Sequence, residues 1–183
     1  PRRHFHLHNS ASATVGFQMT NGNTGESNDD QGFQLKVGSD SHAEISQMEN
    51  SDLRIFTNAI ERLRIDSDGR ILVGHNSARI VSTTVNPYLQ LEGTTFHQSA
   101  LSVTRNTNDE YGSYLILGKS RAASNGGNVI LQDNDIISEV RFAGSDGNDM
   151  VNIAAQIRVE VDGTPQTDQM PGAMILSTNP GST

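Results

Sequence analysis

Three histidines alternate near the start of the chain, at positions 4, 6 and 8 of the stretch HFHLH. Side chains two residues apart on a β-strand point to the same side, so a strand here would present all three imidazoles on one face. Neutral imidazole is a good ligand for transition metals, which makes His4, His6 and His8 a candidate metal site. The competing interpretation is a hydrated outer strand face that holds no metal.

Other short patterns suggest chemistry but lack residues that the chemistry needs. DSDG at 66–69 resembles the start of a calcium loop, yet the twelfth position is Ser77 instead of an acidic residue. GKS at 118–120 lacks the upstream glycine of a phosphate-binding loop, because position 113 is Ser. The chain has no G-x-S-x-G pattern, and no motif singles out a pair of carboxylates. We therefore predict a non-enzymatic protein with no catalytic residue, metal or cofactor.

The composition bounds the class of protein. Of the 183 residues 34% are hydrophobic, which favours small cores that other subunits complete. A net charge of -8 argues against nucleic acid or an anionic membrane as partner. There is no cysteine, and no apolar stretch approaches the roughly 20 residues that span a bilayer, so we expect neither disulfides nor membrane insertion. Because it starts PRRHF without Met, we interpret the chain as a piece or a processed product.

Short alternating runs bounded by Gly, Asn, Asp and Ser predict an all-β chain of short antiparallel strands and hairpins. The strongest hairpin signal is ERLRIDSDGRILVG, in which Asp68-Gly69 can supply the positive φ angles of a tight turn. The other runs are FQMTNGNTG, GFQLKVGSD, YLILGKS, EVRFAGSDG, QIRVEVDG and AMILSTN.

The runs fall into two unequal copies of one unit. The first copy reads FHLHNSA, GFQLKVG and LRIFTN, and the second reads LQLEGTT, GSYLILG and MILSTN. The second copy carries an insertion of about 41 residues, because Gly38 to Thr57 spans 19 positions and Gly118 to Thr178 spans 60. We predict two β-sandwich-like or bead-like units, residues 1–80 and residues 81–183.

The repeat bears on the histidines. Aligning FHLHNSA with LQLEGTT predicts Phe5, Leu7, Leu89 and Leu91 as the buried positions. His4, His6 and His8 then match Tyr88, Gln90 and Glu92, which are ordinary outward residues. The alignment favours the hydrated strand face.

The stretch TNAIERLRIDSDGRILVG resembles a unit that recurs in tail fibres and related structural proteins of tailed bacteriophages. YLILGKSR, EVRFAGSDGNDM, AAQIRVEVDGTP and DQMPGAMILST together resemble a module that precedes that unit in such proteins. The similarity spans roughly residues 30–74 and 88–183. Gln166 and Ala173 stand where this pattern has a glycine and an arginine.

The resemblance implies an elongated homotrimer in the virion, assembled in the host cytoplasm and serving assembly and host attachment. Its partners would be copies of itself, other virion proteins and a host surface glycan or protein receptor. Loops 106–110, 121–128 and 163–170 are the candidate receptor contacts. Residues expected to fill the axial cores are Leu63, Ile65 and Leu72 in one bead and Phe142, Ile157, Val159 and Ile175 in the other. Fibre tips of this class hold metal with His-x-His pairs, which keeps the metal interpretation of His4, His6 and His8 open.

Two alternatives remain open at this stage. One is a capsid head fibre or decoration protein, and the other is a carbohydrate-binding, lectin-like module. Tyr88, Tyr111 and Tyr114 are the available platforms for sugar stacking, although packing within the strand GSYLILG is the favoured role for Tyr114. A carbohydrate-cleaving tailspike is disfavoured, because two irregular units do not make a long β-helix.

Overall fold

The computed structural model describes residues 6–11, 13–25 and 30–181, and this part of the chain is all-β. It contains ten strands and no helix, which confirms the all-β part of the predicted fold class. No helix that could cross a membrane therefore occurs in the described ranges. The strands are β1 (Val15–Met19), β2 (Phe33–Val37), β3 (Ala43–Gln47), β4 (Leu53–Thr57), β5 (Ile60–Ile65), β6 (Ile71–Val73), β7 (Leu89–Leu91), β8 (Ile136–Gly144), β9 (Asn152–Val161) and β10 (Gly172–Thr178).

The chain divides into two compact units. One comprises Pro1–Ala78 with Tyr88–Ser99, and the other comprises Arg79–Pro87 with Ala100–Thr183. The first unit contains a three-stranded sheet of β1–β2–β3, called the first sheet, and a four-stranded sheet of β4–β5–β6–β7, called the second sheet. The second unit contains the third sheet, in the order β10–β9–β8.

The first sheet is an antiparallel meander. Gly16 of β1 lies opposite Lys36 of β2, and a Cβ at residue 16 would lie 2.5 Å from the Lys36 Cβ. Glycine therefore permits the close approach of these two strands. Ser41 closes the next turn with a φ of 70° as β2 passes into β3.

The second sheet is built on two consecutive hairpins. The turn between β4 and β5 uses Asn58 and Ala59, both at positive φ (51° and 57°), as a two-residue type I′ connection requires. The turn between β5 and β6 is the predicted one, closed by a bond from the Asp66 N–H to the Arg70 carbonyl and one from the Gly69 N–H to the Asp66 carbonyl. In that turn only Gly69 of the Asp-Gly pair adopts positive φ, at 81°. The hairpin prediction is confirmed.

Strand β7 joins the second sheet parallel to β6, which the sequence did not predict. Leu72 of β6 lies opposite Gln90 of β7, so both side chains point to one face, where Leu72 is fully buried and Gln90 is 8% exposed. Leu89 and Leu91 point to the opposite face and are exposed, Leu89 by 66%. Within the single chain, the prediction that these two leucines are buried and Gln90 faces outward is wrong. The covered face of β7 is the one on which Gln90 lies beside Leu72, and the two leucines lie on the uncovered face.

The third sheet pairs two long antiparallel strands, β8 and β9, and adds β10 on the other side of β9. The predicted runs EVRFAG, QIRVEV and AMILST all form strands here. Register shifts in β8 at Ile136/Ser138 and Phe142/Ala143 introduce bulges beside β9. Val161, at the end of β9, is one of three hydrophobic residues that are fully or nearly buried among the described residues, with Leu72 and Leu131.

Residues 92–135 form no strand, so the prediction of a strand at GSYLILG does not hold within the single chain. The matched segment of the first repeat, Gly32–Gly38, contains β2, whereas Gly112–Gly118 contains no strand. Tyr114 is correspondingly exposed, and its predicted packing role does not hold within one chain. The glycine spacing is the same in both copies, but only the first copy has partner strands nearby in the sequence.

The predicted strand at HFHLH is also wrong in the part that the structure describes. His6, Leu7 and His8 are not in a strand, and all three side chains are exposed. His4 and Phe5, which complete this prediction, lie outside the described residues. The expected alternation of buried and hydrated positions therefore does not occur at His6–His8.

Candidate functional site

Each sheet has one face made almost wholly of apolar side chains. In the second sheet, directly opposed residues form two rows across all four strands. Opposed residues share a face, so these rows make one continuous aliphatic surface. We call it the second-sheet apolar face, and its members are Leu53, Ile55, Leu63, Ile65, Ile71, Val73, Leu89 and Leu91. All of them remain partly or largely exposed in the single chain.

This arrangement partly supports the expected core of the first bead. Leu63 and Ile65 lie on the second-sheet apolar face as the expectation required. Leu72 lies on the opposite face, in register with Arg64, so its predicted place beside Leu63 and Ile65 is wrong. The reason is the two-residue period of a strand, because residue 72 is one position out of step with Ile71 and Val73.

The third sheet repeats the pattern. Its apolar face, the third-sheet apolar face, includes Phe142, Val140, Ala155, Ile157, Val159, Met174 and Leu176. Leu176 is 73% exposed, and Met174 and Phe142 are also more than half exposed. Phe142, Ile157 and Val159 share this face as expected, but Ile175 lies opposite Arg158 and faces the other way. The expectation for Ile175 is wrong for the same reason of strand period.

The first sheet carries a third surface of this kind. Its apolar face consists of Val15, Phe17, Met19, Phe33, Leu35, Val37, Ala43 and Ile45, with Gln47 at one end. Phe17, Met19, Leu35, Val37 and Ile45 are each exposed to a large extent. The three sheets thus share one pattern: side chains alternate along each strand, so that one face of the sheet is apolar and open and the other face is polar.

The polar faces are satisfied within the chain. In the second sheet the Arg64 guanidinium donates to Glu61, at 2.7 and 2.8 Å, and also to Asp52. The hydrogen bonds from Arg64 hold the pKa of Glu61 below its usual value. In the third sheet Glu139 accepts from both Arg141 and Arg158, which lowers its pKa. These faces have little need of an external partner.

The Asp66 turn is a structural device and does not resemble a cation site. Its carboxylate accepts hydrogen bonds from the backbone N–H groups of Asp68 and Arg70 and from the Arg70 side chain. Burial works to raise the pKa of Asp66, but these bonds outweigh it and the pKa is lowered. Asp52 also accepts from the Ser67 N–H, at 3.2 Å. The acidic residues of DSDG therefore close the hairpin, as the alternative to calcium binding predicts.

The SDGND stretch behaves in the same way. Asp146 accepts from the N–H groups of Asn148 and Asp149 through one oxygen and from the Asn152 side chain through the other. The backbone bonds to Asn148 and Asp149 lower the pKa of Asp146. Asp149 in turn accepts from the Val151 N–H. The carboxylates thus hold the connection between β8 and β9.

A second ion cluster anchors the end of the strandless region. The Arg121 guanidinium donates two hydrogen bonds to Asp135, at 2.6 and 2.8 Å, and the Lys119 ammonium lies 3.2 Å from the same carboxylate. Arg121, and after it the backbone N–H of Gln132, hold the pKa of Asp135 far below its usual range. Lys119 of the GKS stretch is therefore engaged in an ion pair, and we call this group the Asp135 clamp.

The candidate receptor loops are locally ordered turns. In 106–110, Asp109 accepts two bonds from Arg105 and one from the Tyr111 N–H, and these lower its pKa. Loop 163–170 closes through reciprocal backbone bonds between Gln166 and Gln169, with Asp168 at a φ of 60°. Loop 121–128 follows the Asp135 clamp. Each loop presents polar groups on a fixed turn, and receptor contact through any of them stays a prediction.

The histidines do not gather into a metal centre in the described part of the chain. His6 and His8 stack with ring centroids 5.8 Å apart. His75 lies beside Ser77 and Glu92, while His42 pairs with Asp40. No group of three or more metal-ligating residues occurs within residues 6–11, 13–25 and 30–181. The three-histidine hypothesis itself needs His4, which lies outside these ranges.

An open cleft of about 500 Å³ lies over the polar face of the first sheet, lined by residues such as Gln18, Gln34 and Lys36. The Lys36 ammonium is 3.3 Å from Glu44, so its charge is balanced within the sheet. The cleft offers amide groups and a neutralised cation, which does not define a reaction.

Comparison with protein-family models returns no match for this chain. Comparison with curated protein sequences also returns no match.

Proposed function

We propose that this chain is a non-enzymatic structural protein of a bacteriophage virion, a tail fibre or spike segment that assembles as a homotrimer and contributes to host attachment. The observation that carries the proposal is the open apolar face on each of three amphipathic sheets. A chain with these faces needs partners, and identical copies offer three matching faces at once.

The amount of exposed surface supports obligatory assembly. The single chain of 19.8 kDa exposes 14562 Å². A compact monomer of this mass exposes about 8,600 Å², and two separate compact domains of half the mass expose about 10,400 Å² in total. The chain thus exposes more surface than compact domains of its mass, and the open apolar faces of the three sheets contribute to it.

The width of the sheets favours threefold symmetry. Three strands spaced about 4.8 Å apart make a sheet about 14 Å wide, and a triangular prism with sides of that width has its centre about 4 Å from each face. For four strands the distance to the centre is about 5.5 Å. Side chains reach about 5 Å from a sheet, half the roughly 10 Å spacing of packed sheets, so three copies fill the prism. Two copies would leave the sides open, and four would leave a central void.

The virion role rests on the resemblance of the hairpin unit and of the module before it to phage tail fibre proteins. The geometry is compatible with it, because the polar networks of Arg64 and Glu139 form outer faces that require no covering protein. The polar loops then remain available for a host glycan or protein receptor.

The assembly part of the proposal is tested by measuring solution mass with light scattering while the protein is diluted. We expect three times 19.8 kDa. Leu176→Asp places a charge on the third-sheet apolar face, and Ser177→Asp places the same charge one residue later on the other face. Because both side chains are exposed in one chain, we expect only Leu176→Asp to dissociate the trimer.

If the wild-type protein has the mass of one chain in solution, the proposed trimer is wrong. Equal behaviour of the two variants would mean that the third-sheet apolar face is not the contact surface.

The virion part is tested by immunogold labelling of phage particles that encode this chain. Label on the tail is the expected result. Label on the capsid would favour the head-fibre alternative, and unlabelled particles would contradict a virion protein of either kind.

A further inference from the structure

The strandless region contains two runs that have the sequence of strands but no strand partner among the described residues. Residues 101–104 read LSVT and residues 112–118 read GSYLILG. Both belong to the region after β7 that forms no regular structure, although a stretch of this length without strands is uncommon in a compact domain. We call these two stretches the open runs.

The backbone of the open runs is unpaired within the described chain. None of their N–H groups donates to a backbone carbonyl of the described residues, and none of their carbonyls accepts from a backbone N–H there. The two runs do lie side by side, since the Ser113 hydroxyl donates to the Val103 carbonyl at 3.0 Å. Each run therefore offers a free edge to another extended segment.

The side chains of the open runs are equally uncovered. Leu115 is 73% exposed and Ile116 is 83% exposed, and Tyr114 and Leu117 are exposed as well. Consecutive residues of a β-strand point to opposite sides, so residues 114–117 would make both sides of a strand formed here apolar. A continuous apolar run of this kind is typical of a strand that is covered on both faces.

The open runs are held at their ends. Before residue 112, Arg105 donates to Asp109 and to the Tyr111 carbonyl, which fixes the connection between the two runs. After residue 118, the Asp135 clamp holds Lys119 and Arg121. The connection between the two runs and the end of the second run are thus fixed by side-chain contacts.

The charge distribution identifies the partner as another copy. The chain as a whole carries a net charge of -8, so copies repel where their charged surfaces meet. The open runs contain no charged residue, and identical neutral segments approach without that repulsion. They also precede β8, a strand of the third sheet whose apolar face is the proposed contact between copies.

From this geometry we infer that residues 101–104 and 112–118 form β-strands between subunits, pairing through their backbones with the same region of neighbouring copies. The inference rests on the proposed self-assembly and says how the copies join. The second unit is completed by backbone hydrogen bonds between strands of neighbouring copies, in addition to contact between apolar faces.

Amide hydrogen exchange followed by mass spectrometry tests the inference on the full chain. In the assembled protein we expect the amides of the open runs to exchange at least about 100-fold more slowly than those of an unstructured chain. In the dissociated Leu176→Asp variant, or in wild type diluted until the mass is that of one chain, the protection should be lost. Strand β8 should remain protected in every sample, and loop 106–110 should exchange fast in every sample.

The outcomes separate the inference from the proposed function. An oligomer whose open runs exchange as fast as loop 106–110 would overturn strand pairing and leave assembly through the sheet faces intact. If the open runs stay protected from exchange in the dissociated single chain, strand pairing between copies is also overturned. Their hydrogen-bond partners would then lie within the same chain. A wild-type protein that is monomeric at every concentration would overturn both.

Discussion

The second sheet and the open runs both contain apolar sequences typical of β-strands, yet they differ in structure. In the second sheet each strand finds a neighbour within a short stretch of chain, because turns at Asn58-Ala59 and at 66–70 fold it back on itself. The open runs are followed by polar clusters at Asp109 and at Asp135, and they make no backbone-to-backbone hydrogen bond with the described residues.

The difference shows that a segment with high strand propensity forms a strand only where a partner strand is available. The hairpin turns place the partner nearby, so the second sheet forms inside one chain and leaves only its apolar face unsatisfied. In the open runs both the backbone edges and the side-chain faces are unsatisfied among the described residues, and in the assembly proposed above other copies would complete them. The first region is expected to withstand dilution better than the second.

The largest effect is expected from breaking the second sheet at Gly74. This residue has a φ of 84°, and a Cβ there would lie 2.2 Å from the backbone oxygen of Glu92, beside the β6–β7 pairing. Gly74→Ala therefore adds a backbone clash to left-handed strain and should lower the free energy of unfolding by more than about 2 kcal/mol, measured by chemical denaturation.

Gly69→Ala is the matched control for this change. Gly69 has nearly the same φ, 81°, but a Cβ there would meet only a Tyr88 ring atom at 3.9 Å. Its cost should be limited to the strain of about 1–2 kcal/mol. Equal losses from the two substitutions would show that the close approach of Glu92 does not contribute, and would weaken the account of how β7 is held.

A smaller effect is expected from the Asp135 clamp, which holds the end of the open runs. Because Arg121 depresses the pKa of Asp135, the contribution of the clamp is complete above about pH 4, the ordinary pKa of an aspartate, and declines as the pH falls toward the depressed value. Asp135→Asn should lower the thermal midpoint at pH 7 by less than Gly74→Ala does. It should also reduce the loss of stability that wild type shows below pH 4.

Asp162→Asn provides the control, because it removes the same charge from an exposed residue next to β9. We expect this variant to keep the acid response of wild type in a melting series from pH 7 to pH 2. If Asp135→Asn and Asp162→Asn follow the same pH curve, the clamp does not stabilise this region.

Much of the fold could be predicted from local pattern. The all-β class, the 66–70 hairpin and the strands of the third sheet all follow from two-residue alternation and from Asp-Gly turn chemistry, and the structure confirms them. The turn at Asn58-Ala59 was missed, because alanine seldom adopts positive φ and only Asn58 carried a signal. The sequence predicted apolar strand faces, and the structure has them, but it placed Leu72, Ile175 and Gln90 on the wrong faces, and completion of these faces by other copies stays a prediction.

The sequence by itself determined that this protein is β-structured, which positions alternate and where its best hairpin turns, since periodicity and turn chemistry act over a few residues. Only the tertiary structure decided that Leu72 faces away from Leu63, that Gln90 is buried while Leu89 is exposed, and that GSYLILG stays unpaired where GFQLKVG becomes a strand. The physical reason is that the register and cover of a strand depend on partners that lie far away in the sequence, and a shift of one residue moves a side chain to the opposite face.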